Sequence, residues 1–227
     1  WIFLLDQLRI QNILVNTHHQ KEIMEEFLNR ERFSGWVSYV YEPKFLGTGG
    51  TLLANKDFFR AKTTLFIHAD NWCQCDFQGF IDFHRYHRPR NTVMTMMTFR
   101  TSTPTSCGIV ELNDKGIVQE FHEKVKNPPG NLANAAIYLL EPEVLDVLQD
   151  RPNVNDFDIE VLPILLGKIA TWENTNIHRD IGTLDSLLEA QNDPIPTLGW
   201  SNPDVWQRDF EKNIVNEKLK AISKTAK

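Results

Sequence analysis

Short apolar runs alternate with helical stretches along the first third of the chain, and this alternation restricts the fold more than any other feature. NILVN (12–16), WVSYVY (36–41) and TLFIHA (64–69) have strand length and β-prone composition. A polar-faced helical stretch (20–30) and a Gly-rich turn and helix (47–56) separate them, and another helix is expected over 79–87. The order βαβα predicts a parallel sheet with right-handed crossovers. Between 92 and 140 the character changes: TVMTMMTF, CGIVEL, IVQEFHE and ANAAIYLL read as strands, with short polar turns such as Asn113-Asp114-Lys115-Gly116, so a mixed-sheet elaboration is expected there. Helices return at 142–148, with Pro142 at an allowed first-turn position, and at 159–167.

The 227 residues are ample for one sizeable core. Residues 1–192 are expected to form one α/β domain. Residues 193–227, with Pro194, Pro196 and Pro203, read as a linker and a polar helix over 204–220. The chain begins at Trp1 within WIFLLDQL, which reads as the middle of a helix with no capping residue ahead of it, so the expectation is that the natural product extends upstream. Lys+Arg number 24 against 30 Asp+Glu, a net charge of −6, which offers no basic stripe for a nucleic-acid polymer but leaves room for a local phosphate pocket. No apolar run approaches the roughly 20 residues needed to span a bilayer, and no membrane partner is expected. Cys73, Cys75 and Cys107 make an odd count without C-x-x-C spacing, which argues against a disulfide framework or structural zinc and fits a reducing cytoplasm.

Asp70 and Asp180 each end a β-prone run, TLFIHADN (64–71) and TNIHRDIGT (175–183). An acid leaving a buried strand is costly unless solvated, paired or bound to a cation, so the two exits suggest one divalent metal site; alternatively each Asp caps the helix after it. In EPKFLGTGGT (42–51), Gly47, Gly49 and Gly50 allow close backbone approach to a base or phosphate, or simply make a tight strand-to-helix turn. No GxxxxGK[ST] loop is present. In FHEKVKNPPGNLANAAIYLL (121–140), Lys124 suits a phosphate and Glu123 suits sugar hydroxyls, while an exposed surface pair of this kind is worth under about 1 kcal/mol. Asn134 precedes AAIYLL, placed to bond a hydroxyl or cap a turn. His18, His19, His84, His87 and Cys107 lack a nucleophile context and read as structural or surface residues, and Cys73-Gln74-Cys75 as plain loop.

Taken in order, EPKFLGTGG, FIHADN, CGIVELNDKG, FHEKV, NLANAAIYLL, DFDIEVLPILLG and HRDIGTLDSLLEAQ resemble the sugar-phosphate nucleotidyltransferases, most of all the mannose-1-phosphate guanylyltransferase group, over residues 1–191. The resemblance implies a Rossmann-like three-layer α/β/α sandwich with a mixed, mostly parallel central sheet. It also implies in-line attack of a sugar 1-phosphate oxygen on the α-phosphorus of an NTP, with GTP and mannose 1-phosphate as the expected pair. Under it, Asp70 and Asp180 hold Mg²⁺. Glu42, Leu46, Gly47, Thr48 and Gly49 form the base pocket; Gly108, Glu123 and Asn134 bind the sugar, and Lys124 grips its phosphate. A homo-oligomer is compatible with this reading. The family's usual first strand and Gly-rich, Arg-bearing loop do not lie within these residues, and without them efficient transfer by the chain as given is not expected. Ala69-Asp70 stands for the usual Gly-Asp, Glu123-Lys124-Val125 for Glu-Lys-Pro, and Ala136 for the usual glycine. Open alternatives are a glucose-1-phosphate thymidylyl-, uridylyl- or cytidylyltransferase, a nucleotide-sugar-dependent glycosyltransferase, for which Trp72 spoils the usual Asp-x-Asp, and a non-catalytic nucleotide-sugar-binding regulatory subunit.

Overall fold

The computed structural model describes residues 1–60, 62–194 and 204–212. Along the chain run α1 (Ile2–Gln7), β1 (Ile13–Thr17), α2 (Lys21–Leu28), β2 (Val37–Tyr41), α3 (Gly47–Ala54), α4 (Lys56–Phe59), β3 (Thr64–Ile67), β4 (Asn71–Cys73) and α5 (Phe77–Asp82). Then come β5 (Met94–Arg100), β6 (Gly108–Leu112), β7 (Val118–Glu123), β8 (Leu132–Leu140), α6 (Pro142–Gln149), α7 (Phe157–Glu160), β9 (Ile169–Glu173), β10 (His178–Asp180), α8 (Leu184–Ala190) and α9 (Val205–Glu211). They divide into two compact units, residues 1–44 with 179–227, and residues 45–178. Among the described residues no helix is long and apolar enough to cross a membrane.

In the first unit β1 and β2 pair in parallel, Ile13 opposite Val37, with α2 as the crossover, as the alternation predicts. Arg30 lies among the Phe27, Phe33 and Trp206 rings at 4.8, 4.7 and 5.1 Å, and its Nε donates to Asp204 Oδ2 at 2.7 Å. Planar guanidinium stacking with a charge-assisted bond suits a mostly buried arginine. Of the polar helix expected over 204–220, the described part is Val205–Glu211; the linker 195–203 and residues beyond 212 lie outside the described residues.

The second unit is built on a six-stranded mixed sheet in which β8 has β5 along one edge and both β3 and β6 along the other, with β7 beyond β6 and β9 beyond β5. All β8 pairings are antiparallel, and β5–β9 is parallel. β3, β5, β6 and β9 therefore share one direction, but four of the five strand pairs are antiparallel, so the sheet is mixed as expected and not mostly parallel. The neighbouring pairs in this sheet are mostly antiparallel because β8 runs between the others. Its core joins Met94, Met96, Tyr138, Leu140 and Ile169 to Val144, Leu145 and Leu148 of α6, which share one helix face.

Two helices differ from the sequence expectation. The run 159–167 forms α7 and then a 3₁₀ turn, Leu162–Ile164. Pro163 lacks the N–H that a continued helix needs and its ring crowds the carbonyl four residues back. The helix expected from Gly79 instead starts at Phe77, because Asp76 accepts from Gly79 N at 2.8 Å, and it ends in the π turn Phe83–His87. That turn buries His84, whose Nδ1 lies 2.8 Å from Thr95 Oγ1 and whose Nε2 lies 3.0 Å from Glu141 Oε1. Burial, helped by the nearby Arg88, holds the imidazole below its ordinary pKa of about 6.5 despite the pull of Glu141.

Two predictions follow from strain and burial. Ala136 has φ +51°, a left-handed conformation costing an L-residue about 1 kcal/mol. Ala136→Gly is expected to raise the urea midpoint, with Tm up by about 2–4 °C; an unchanged or lower midpoint contradicts this. For His84 the unfolded chain binds the proton more tightly, so its contribution is complete above about pH 6.5 and lost as pH falls through the lowered folded value. Stability should thus fall as pH drops below about 6.5, and His84→Gln should flatten that slope.

Candidate active site

The Gly-rich loop is shaped by close backbone approach to residues 154–157. Gly47 has φ +75°, and a Cβ there would sit 2.5 Å from Asn155 O. The same carbonyl accepts from Gly49 N at 2.7 Å and Gly50 N at 3.3 Å, while Thr48 Oγ1 accepts from Phe157 N at 2.9 Å. Leu46 is the residue from which α3 starts. The loop therefore makes the tight turn of the sequence reading, and the close backbone neighbour its glycines admit is another segment of the protein. Gly47→Ala should cost about 1–3 kcal/mol, read as a lower denaturant midpoint.

At the far ends of β6 and β7, Gly108 lies opposite Glu123. A Cβ on Gly108 would fall 2.6 Å from both Glu123 Oε2 and the Phe121 ring, so the glycine makes room for the acid. Lys124 follows with φ +48°, its N donating to Cys107 O at 3.2 Å and its exposed ammonium 3.4 Å from Glu123 Oε1. Burial pushes the Glu123 carboxyl up from its ordinary value, with Lys124 opposing and Asp158 reinforcing.

Asn134, on β8, gives Nδ2 to Tyr138 OH at 2.6 Å and takes Ala136 N on Oδ1 at 3.0 Å. Tyr138 is fully buried and donates to Asp158 Oδ1 at 2.6 Å. Asp158 follows Phe157, so the loop at Gly47 and the Asn134–Tyr138–Asp158 chain meet on one short segment. Burial drives the Asp158 carboxyl upward, while the Tyr138 bond and His68 pull it down. Tyr138 and Asp158 were not singled out in the sequence, where one reads as an apolar strand residue and the other as part of a helix start.

Asp70 sits exposed in the turn after β3, closed by Asn71 N donating to His68 O at 3.2 Å. Asn71 Nδ2 pins that turn to Ala135 O at 2.9 Å, and His178 Nε2 donates to the same carbonyl at 2.9 Å. Neither aspartate caps the next helix, which removes the alternative raised by the sequence. Asp76 caps α5, and Thr183 caps α8 through a capping box with Ser186. Asp70 makes no hydrogen bond or ion pair to another described residue, and exposed Asp180 accepts from Gly182 N at 2.7 Å. Glu42 is buried in the first unit, its N donating to Thr17 O at 2.8 Å and its O 2.7 Å from His18 Nδ1. The second unit thus assembles Gly47, Thr48 and Gly49 on one side and Gly108, Glu123, Lys124 and Asn134 on the other, while Glu42 and Asp180 belong to the first unit.

Comparison with known proteins matches residues 3–195 to the family described as Nucleotidyl transferase. The chain is 28% identical over 189 residues to a mannose-1-phosphate guanylyltransferase of Mycobacterium tuberculosis, covering 81% of this chain and 52% of that protein. It is 27% identical over 190 residues to a glucose-1-phosphate adenylyltransferase of Clostridium beijerinckii, covering 79% of this chain and 46% of that protein. The chain spans about half the length of the curated relatives it matches. A solved structure, HddC from Yersinia pseudotuberculosis complexed with GMP-PN, superposes with a TM-score of 0.67 at 19% identity, covering 83% of this chain and 80% of that one. That likeness shows the fold, a Rossmann-like α/β arrangement with a mixed central sheet and flanking helices. With the family match extending over most of its length, this chain belongs to the nucleotidyl transferase family.

Proposed function

We propose that this chain supplies the nucleotidyl-transfer domain of a sugar-1-phosphate nucleotidyltransferase, joining a nucleotidyl group from GTP to mannose 1-phosphate or a related manno-configured sugar phosphate and releasing pyrophosphate. The observation that carries this reading is the acid–lysine pair Glu123 and Lys124, 3.4 Å apart beside Gly108, with Asn134 of β8 linked through Tyr138 and Asp158 to the segment on which the Gly-rich loop is seated. The names of the mannose-1-phosphate guanylyltransferase relatives favour that pair, and the glucose-1-phosphate adenylyltransferase makes the glucose series the second arm of the test.

The attacking sugar phosphate is already an anion, so no general base is needed; placing it and neutralising charge supply the catalysis. Lys124, whose ammonium is exposed beside Glu123, neutralises the sugar phosphate as a point charge, and Glu123 accepts hydrogen bonds from sugar hydroxyls. Gly108 keeps Glu123 in place, and Glu42, Leu46, Gly47, Thr48 and Gly49 contribute to the base pocket. Asp70 and Asp180 are the residues proposed to hold Mg²⁺. Carboxylate oxygens suit a hard cation, and both side chains are exposed and uncommitted to helix caps. When bound, the metal offsets negative charge at the α-phosphate. Cys73, Cys75 and Cys107 are free thiols, which supports a cytoplasmic setting.

The direct test is pyrophosphate release by the protein carrying this chain, with GTP plus mannose 1-phosphate and with other NTP and hexose 1-phosphate pairs. Lys124→Ala is expected to raise KM for the sugar phosphate by about tenfold or more with little change in KM for the NTP, through loss of a charge-assisted contact. Asp180→Asn should instead lower kcat by about a hundredfold or more. Wild-type kinetics in both variants, or no release with any pair, would refute this reading.

A further inference from the structure

The atoms of Asp158 are unequally used. Oδ1 takes the only hydrogen of the Tyr138 hydroxyl at 2.6 Å, and that hydroxyl in turn accepts from Asn134 Nδ2 at 2.6 Å. Oδ2 has only the long 3.5 Å approach of Asn134 Nδ2. Asn134 Oδ1 is already bonded to Ala136 N at 3.0 Å, so the carboxamide is turned inward and held from three sides. The Asn134 group that the sequence offers for a sugar hydroxyl is thus largely occupied within the protein, and the acceptor capacity lies one step along the chain of bonds, on Asp158.

The charge at this position calls for a reason. An asparagine at residue 158 would accept the Tyr138 hydroxyl equally well and would not incur the desolvation of a carboxylate. Asp158 is partly buried against the Tyr138 hydroxyl, whose ring packs on Phe66 and Phe157, and its charge raises the carboxyl pKa of a second acid, Glu123. Lys124 and His68 are the cationic or titratable groups felt by Asp158, and Asp156 acts on it with the opposite sign. Two carboxylates with spare lone pairs and one lysine match a ligand that brings several hydroxyl donors and one anionic group, which is the chemistry of a hexose phosphate.

We infer that Asp158 is a further sugar-binding residue: its Oδ2 accepts a ring hydroxyl of the sugar phosphate alongside Glu123, while Tyr138 and Asn134 hold the carboxylate in place. The inference rests on the functional reading above and adds to it a specificity-determining acid on α7. Removing that acceptor should cost affinity for the sugar substrate and leave the nucleotide alone, because the contact is to the sugar ring only.

The test is calorimetric binding of mannose 1-phosphate and its monodeoxy analogues to the full chain, with GTP and EDTA present to prevent turnover. Asp158→Asn keeps the shape and the Tyr138 contact. It is expected to weaken mannose 1-phosphate binding by about tenfold or more, to leave GTP affinity within about twofold, and to bind one deoxy analogue as well as wild type does. An unchanged affinity for mannose 1-phosphate, or an equal penalty for every deoxy analogue, overturns the inference. A second measurement does not depend on that variant folding. In Glu123→Gln, which leaves Asp158 intact, one deoxy analogue must still bind at least about fivefold more weakly than the parent sugar, and no such position overturns the inference. Failure of wild type to bind any hexose 1-phosphate would instead overturn the functional reading itself.

Discussion

The second unit depends on an irregularity in its most buried strand. Between the pairs Met96↔Tyr138 and Thr98↔Asn134 the register of β5 against β8 shifts, leaving surplus residues on β8. The bulge puts Ala136 in a left-handed conformation and redirects the carbonyls of Ala135 and Ala136 out of the ladder. Those carbonyls do not go unpaired. Ala135 O receives Asn71 Nδ2 and His178 Nε2, and Ala136 O receives His68 N at 3.3 Å. One distortion in a central strand thereby anchors the turn that carries Asp70 and the strand residue two before Asp180. Backbone groups buried in a sheet must find partners, so the bulge and the turns it holds are mutually required.

A second organising element is the short segment 154–160. Asn155 O receives the amides of the Gly-rich loop, Phe157 N bonds Thr48, and Asp158 reaches Tyr138. The segment is kept in shape by its own acids. Asp156 accepts from Asp158 N and Ile159 N at 2.8 and 3.0 Å, and Glu160 accepts from Asn155 N and Asp156 N at 3.0 and 2.9 Å. These backbone donors hold the Glu160 carboxyl below its ordinary pKa. Fixing the segment fixes both the Gly-rich loop on one side and Asp158 on the other, without a continuous strand between them.

Charge is placed where the backbone is constrained. Lys124 projects from a left-handed residue, Glu123 stands where only a glycine at 108 leaves room, and Asp158 ends a chain of hydrogen bonds that begins on the bulged strand. Glu123 and Asp158, restrained by these contacts, have less side-chain freedom to lose than exposed acids, whereas the Lys124 side chain is exposed.

Much of this was legible in the residues themselves. The βαβ start, the strands from 92 to 140, the mixed sheet and the Glu-Lys pair follow from apolar periodicity and turn chemistry, which act over a few residues and are written in them. The stop at Pro163 is legible too, but the apolar pattern continues past it and masks it. What only the tertiary structure decided are the contacts between segments distant in sequence. These are the placing of β8 between strands of opposite direction, the bulge at Ala136, the helix caps passing to Asp76 and Thr183 and so sparing Asp70 and Asp180, and the joining of Asn134 to Asp158 through a fully buried tyrosine. Tyr138 reads along the chain as one more apolar strand residue. Its hydroxyl gains meaning only once folding removes it from water and an acid from another segment has to satisfy it.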